Sequence, residues 1–184
     1  MTGLTLVAHA LTPALRGLVL GGDAEPDRAS VETARELKVS ADAAYAGPER
    51  AAVRTAAALG LDPVVEPALR DREYGDWAGR GLEELLASDP SGVAAWLDRP
   101  HTATPNGETE NDVIARVADW LGDVAARDHG SAVVVVHPAI VRAIVLYVVD
   151  APAESLRHVD VRPLAAVNLS HHSGNWSLSL APSS

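Results

Sequence analysis

The sequence predicts a three-layer α/β/α sandwich with a mostly parallel central sheet. Three observations carry this expectation. Two short runs, LTLVAHA with His9 and SAVVVVHPAIVRAI with His137, are apolar on nearly every side chain. Such runs suit strands covered on both faces, as in a parallel sheet, better than half-exposed antiparallel strands. Strand-like runs also alternate with helix-like ones along the chain, the pattern of a sheet with helices on both sides. No internal repeat or long linker divides the 184 residues, and 47% hydrophobic content is enough for one core, so a single domain over 1–184 is expected.

Leu4 to Val7 reads as the first strand. A loop through Thr12, Pro13 and Arg16 leads to a Gly21 to Asp23 turn, and Ser30 is placed to cap a helix from Val31 to Leu37. Ala43 to Ala46 is the second strand. Gly47-Pro48 opens a helix from Glu49 to Leu59, with Gly60 just past its end. Val64 and Val65 form a short strand, and ALRDREYGDWAGRG, from Ala68 to Gly81, is irregular. Short helices follow at Leu82 to Ala87 and Val93 to Leu97. A helix from about Thr109 to Arg127 shows Val113, Ile114, Val117, Trp120, Leu121 and Val124 at helical spacing. Gly130 ends it. Ala132 to Val136 is the core strand, Ala139 to Val149 a buried helix, and VNLSHHSGNWSLSL a hairpin turning around Ser173-Gly174-Asn175.

The chain has a net charge of −10, and among its 15 basic residues only Lys38 is a lysine. So acidic a protein is a poor general binder of nucleic acid or anionic membrane, and neither is expected as a partner. An anionic small substrate needs a local cluster of arginines. The absence of cysteine excludes disulfides, thiolate metal sites and a thiol nucleophile. With no apolar run of membrane-spanning length and no evident signal peptide, a cytoplasmic protein is expected. Oligomeric state is left open.

In open α/β sheets ligands bind beyond the carboxyl ends of the strands. His9 and His137 each stand at such an end and are expected to face one pocket. A metal site built from His9, His137, Asp71 and Glu73 is the weaker alternative, because no local ligand motif such as H-E-x-x-H is present, and no cofactor or metal is expected. His101 is read as surface. His171 and His172, adjacent on a strand, face opposite sides. Tyr74 and Trp77 are read as packing the loop, Trp96 and Trp120 as core or helix-packing residues, and Glu108 as a cap of the long helix.

Taken as an ordered set, LVAHALT, GPERAAVRTAAALG, LRDREYGDWAG, PNGET and VVVHPAIVRA resemble the histidine phosphatase superfamily, with its phosphoglycerate mutase-like fold. The resemblance runs over nearly the whole chain. It implies that His9 is the nucleophile that takes up the phosphoryl group. The family pattern SPLxRAxxTA implies a phosphate-gripping arginine at Arg50, and L-x-E-x-x-x-G implies a proton donor at Asp71. His137 stands where the family holds a second histidine against the phosphoryl group. Thr12, Arg16 and the Ala139 N–H complete the implied phosphate contacts. Chemically such a set provides an in-line nucleophile and positive donors for the equatorial oxygens.

Departures from the pattern are pronounced. Ala8-His9-Ala10 replaces Arg-His-Gly, Pro138 follows the second histidine where glycine is usual, and Leu15 stands where a polar residue is usual. Arg16, Arg54 and Arg142 are the arginines placed to replace the lost charge, with Arg142 read as solvent-facing. The region between Gly79 and Asn106 is short, which argues against a mutase. The expected function is therefore metal-independent phosphomonoester hydrolysis through a phosphohistidine, acting on a small phosphorylated metabolite with reduced activity. The alternative is a catalytically weak or inactive family member that binds a phosphorylated or other anionic ligand.

Overall fold

The computed structural model describes residues 2–127 and 130–179. One sheet of six strands runs through it: β1 (Thr2–Ala8), β2 (Ala43–Ala46), β3 (Val64–Val65), β4 (Ser131–Val136), β5 (Ala166–His172) and β6 (Asn175–Ser179), in the order β3-β2-β4-β1-β5-β6. The first four of these neighbours pair in parallel, and β5 and β6 add an antiparallel edge beside β1. The helices are α1 (Pro13–Arg16), α2 (Arg28–Glu36), α3 (Arg50–Ala58), α4 (Leu82–Ser88), α5 (Pro90–Asp98), α6 (Glu110–Ala126) and α7 (Pro138–Val148).

The side-chain alternation of the two central strands divides the core into two layers. Leu4, Leu6 and Ala8 of β1, with Ala132, Val134 and Val136 of β4, pack against Val117, Leu121, Ile140 and Ile144 of α6 and α7. Val7, Val133 and Val135 face the other way, onto Ala34 of α2 and Ala52 and Ala56 of α3. The three-layer sandwich expected from the continuous apolar runs is thus present. On the second face small alanines form the contact, while α6 and α7 carry larger side chains.

Several boundaries differ from the sequence expectation for local reasons. The stretch 13–16, read as loop, forms a short helix because Pro13 suits its first turn and the Thr12 hydroxyl accepts from the Leu15 N–H. α2 begins at Arg28, with Asp27 at the N-cap position, because the Ser30 hydroxyl is used instead by the Leu11 N–H at 2.9 Å. α6 is capped by Thr109 and Asp112, whose side chains satisfy each other's backbone N–H groups. The hairpin turns at Ser173 and Gly174, both at positive φ, the geometry that matches strand twist in a two-residue turn. Leu180, the last residue of the expected hairpin, lies outside the described residues. Among the described residues no helix is long and apolar enough to cross a membrane.

Leu6 is fully buried at the centre of the larger core. Leu6→Ala should cost about 2–5 kcal/mol of stability, read as a lower urea midpoint at unchanged slope.

Candidate active site

The parallel register of β1 and β4 pairs Ala8 with Val136, so the next residue of each strand, His9 and His137, leaves the sheet at the same edge. The His9 N–H donates to the Val136 carbonyl at 2.9 Å and locks the two strand ends together. The ring centroids are 5.1 Å apart, with the planes inclined at 57°. The two imidazoles therefore share one site.

His9 is 2% exposed. Its Nδ1 lies 2.8 Å from the Ala10 carbonyl, which can only accept, so Nδ1 carries the proton. Nε2 is then left with its lone pair. Burial, with the His137 charge second, pushes the His9 pKa down to about 4, against the smaller opposing effects of the Ala10 carbonyl and Asp71. The ring is neutral at pH 7, the state and tautomer a nucleophilic imidazole needs. The Ala10 N–H is anchored by the Thr55 hydroxyl at 2.9 Å, which in turn donates to the Ala51 carbonyl.

His137 Nδ1 lies 3.0 Å from an Asp71 carboxylate oxygen and 3.1 Å from the Ala139 nitrogen. One ring nitrogen cannot donate to the first and accept from the second. Burial pushes the Asp71 carboxyl up, but the charge and hydrogen bond of His137, the Arg72 N–H and His9 outweigh it and hold Asp71 below the ordinary carboxylate range. The proton accordingly rests on His137 Nδ1 and is donated to Asp71, so in the resting site Asp71 is ionised.

Asp71 sits on an irregular loop that a cationic scaffold holds. Arg116 donates to the carbonyls of Ala68, Arg70 and Asp71 and to Glu108. Glu108 also accepts from Arg70 at 2.7 Å and from the Glu73 N–H at 2.9 Å. Glu108 is therefore a brace for this loop, not the helix cap expected, because Thr109 already fills the cap position. Arg72, buried against Glu110, reaches the carbonyls of Pro100, Thr102 and Glu108. His101 is largely buried beside this segment and faces Glu154 at 3.7 Å, in contrast to its expected surface position. Tyr74 and Trp77 pack the loop onto Leu85 and Val93.

The cavity at the two histidines is lined by His9, Thr12, Leu15, Glu49, Ala51 and His137 and by the stretch around Gly21 to Ala24. No arginine or lysine lines it among the described residues. Thr12 is buried at its wall, and Ala139 is buried in the first turn of α7. Arg50 is outside: its side chain is 57% exposed, and its Nε donates to Asp23 at 2.9 Å. The residue of α3 that lines the cavity is Ala51. The sequence held the signal, because SPLxRAxxTA places its threonine four residues after the arginine and Thr55 follows Ala51 by four. A shift of one residue turns a helical side chain by about 100°. Arg16 is also outside the lining, exposed and paired with Asp27, and Arg54 pairs with Glu25 at 3.4 Å. Arg142 is not solvent-facing as expected. It is half-buried within electrostatic reach of Tyr74 and Glu110, with its Nε enclosed and unpartnered.

Glu49 is the site residue that sequence reasoning missed. One carboxylate oxygen accepts from the Asp71 N–H at 2.6 Å, and the other is enclosed without a hydrogen-bond partner. Burial raises its pKa above the ordinary value. The only sequence signal was an acidic residue immediately before the helix that carries the family's arginine. Among the described residues no group of three His, Cys, Asp or Glu side chains is placed to hold a metal ion.

The depressed pKa of His9 has a consequence for stability. Between pH 6.5 and about 4 the unfolded chain binds a proton at this position that the folded one does not, so folding stability falls as pH drops through that window. The loss should reach at most about 3 kcal/mol at the acid end. Urea unfolding at pH 7 and pH 4.5 should show it in the wild type, and the loss should be smaller in His9→Gln. An equal loss in both proteins would contradict the assignment.

The model of the histidine phosphatase superfamily (branch 1) matches residues 28–182, a stretch that begins after His9. "Putative phosphoserine phosphatase 2" of Hydrogenobacter thermophilus is 29% identical over 132 residues, covering 68% of this chain and 65% of that protein. Adenosylcobalamin/alpha-ribazole phosphatase of Escherichia coli is 28% identical over 97 residues, covering 52% of this chain and 48% of that protein. The chain thus spans less than two thirds of the length of either curated relative. Among solved structures, YhfR of Bacillus stearothermophilus superposes with a TM-score of 0.88 at 20% identity, covering 98% of this chain and 96% of its own. With the family model matching most of its length and the fold superposing throughout, this chain belongs to the histidine phosphatase superfamily.

Proposed function

We propose that this protein is a strongly attenuated phosphomonoesterase, acting without a metal through a phosphohistidine on His9. The observation that carries the reading is the contrast inside one cavity: a neutral, correctly protonated His9 beside His137, and alanines at 8 and 51 where the family's arginines grip phosphate. In the proposed reaction the His9 Nε2 lone pair attacks phosphorus as the bond to the leaving oxygen breaks. For this step the His137–Asp71 pair holds one proton more than in the resting site, and that proton goes to the leaving oxygen. Water then cleaves the phosphorus–nitrogen bond, returning a proton to the pair, freeing His9 and releasing phosphate. The names of the two curated relatives support a small phosphorylated metabolite as substrate.

Chemistry of this kind depends on donors aimed at the charge that builds up in the transition state. Removing one such donor costs about 10²–10³ in rate. Two are missing here, and the carboxylates of Glu49 and Asp71 oppose an incoming dianion. The expected deficit is about four powers of ten or more against a complete site.

Hydrolysis of p-nitrophenyl phosphate by the purified protein should be detectable but slow, and His9→Ala should abolish it. Ala51→Arg, which puts a guanidinium on the cavity face of α3, should raise kcat/KM by about tenfold or more. A wild-type kcat of about 1 s⁻¹ or higher would refute attenuation. No gain from Ala51→Arg in a variant that unfolds in urea as the wild type does, with no phosphohistidine trapped on His9, would overturn the phosphatase reading.

A further inference from the structure

Three acidic residues on one short strap hold Arg16, Arg50 and Arg54. The strap runs from Gly21 to Asp27 and forms a wall of the His9 cavity through Gly21, Gly22 and Ala24. Asp23 takes the Arg50 Nε at 2.9 Å and the Arg50 N–H at 2.6 Å, while its carbonyl accepts from the Arg50 guanidinium. Glu25 faces Arg50 at 3.6 Å and Arg54 at 3.4 Å, and Asp27 pairs with Arg16. The carboxylate of Asp23 thus occupies, at the first turn of α3, the place and the donors that an external anion would use.

The strap is held mainly by its ends and by surface charges. Its ends are tied by backbone bonds, Leu20 to Arg80 and Asp27 to Leu11, but residues 21–26 make no backbone–backbone hydrogen bond among the described residues. Gly21 and Gly22 both sit at positive φ, so the chain at that end turns without a side chain to restrict it. The charges that hold the strap down are about half exposed or more, Asp27 excepted, and such pairs hold weakly and are screened by salt.

We infer that the Gly21–Asp27 strap is an autoinhibitory lid in which Asp23 and Glu25 act as internal anions, and that lifting it frees Arg50 to hold an anion at the mouth of the His9 cavity. The guanidinium is held at Asp23, between Gly22 and Ala24 of the cavity wall, so once freed it stands at the cavity rim. The lid concerns access of anions. It rests on the site being the family's anion site, but not on the rate of turnover there.

The test measures binding of inorganic phosphate by calorimetry, with no turnover involved. Asp23→Asn/Glu25→Gln keeps the shape of the strap and removes its charges. It should bind phosphate about tenfold or more tightly than the wild type, and adding Arg50→Ala should return the affinity to the wild-type value. Unchanged affinity in the double variant, or a gain that survives loss of Arg50, would overturn the lid. Slow or absent hydrolysis leaves the inference intact, whereas failed phosphate binding in every variant overturns it.

Discussion

The parallel pairing of β1 with β4 is the constraint from which the site follows. Its register sets Ala8 beside Val136, and the His9 N–H closes the ladder onto the Val136 carbonyl. A slip of one residue would send every side chain of a strand to the opposite face and separate the two histidines. That slip is prevented by the core itself. Leu4, Leu6 and Val134 fill the α6/α7 side while Val7 and Val135 meet the alanines of α2 and α3. Burial on both faces, more than any bond between the rings, brings two residues far apart in sequence into contact.

The electrostatics of the site divide into a scaffold and a cavity. Arg70, Arg72 and Arg116 are spent on loop carbonyls and on Glu108 and Glu110, and they fix where Asp71 stands. Asp71 in turn fixes the protonated edge of His137. None of these cations faces the two imidazoles. The cavity therefore keeps its geometry while carrying acceptor groups: the His9 Nε2 lone pair and the Glu49 carboxylate. Geometry and charge are held by different residues, so one can persist after the other has gone.

Much of this was legible in the sequence, for physical reasons that differ by element. Runs such as VVVV admit a doubly covered strand and little else, and the long helix showed its apolar stripe, so the layers and the paired histidines could be read directly. The hairpin was visible in Ser173-Gly174. What failed depended on rotation or on choice of partner. Arg50 and Ala51 differ by one position, which composition cannot resolve and which a helix converts into inside against outside. Ser30 and Glu108 both looked like caps, but each serves a distant backbone group instead, Leu11 in one case and Glu73 in the other. The role of Glu49 needed the Asp71 loop in place before its carboxylate had anything to accept from.

The two alanines that stand for arginines are not equivalent. Ala51 is buried at the cavity wall in the first turn of a helix, where it lines the same cavity as the two histidines. Ala8 is fully buried and belongs to the core shared with Leu6, Val136 and Ile140. An arginine returned there must thread its charge past packed side chains. A buried charge left unpaired costs several kcal/mol, and overpacking adds to that. An arginine at position 8 would therefore be opposed by the packing of the core, whereas one at position 51 would enter the lining of the cavity. The alanine at 8 is thus tied to the fold, and the one at 51 to the cavity alone.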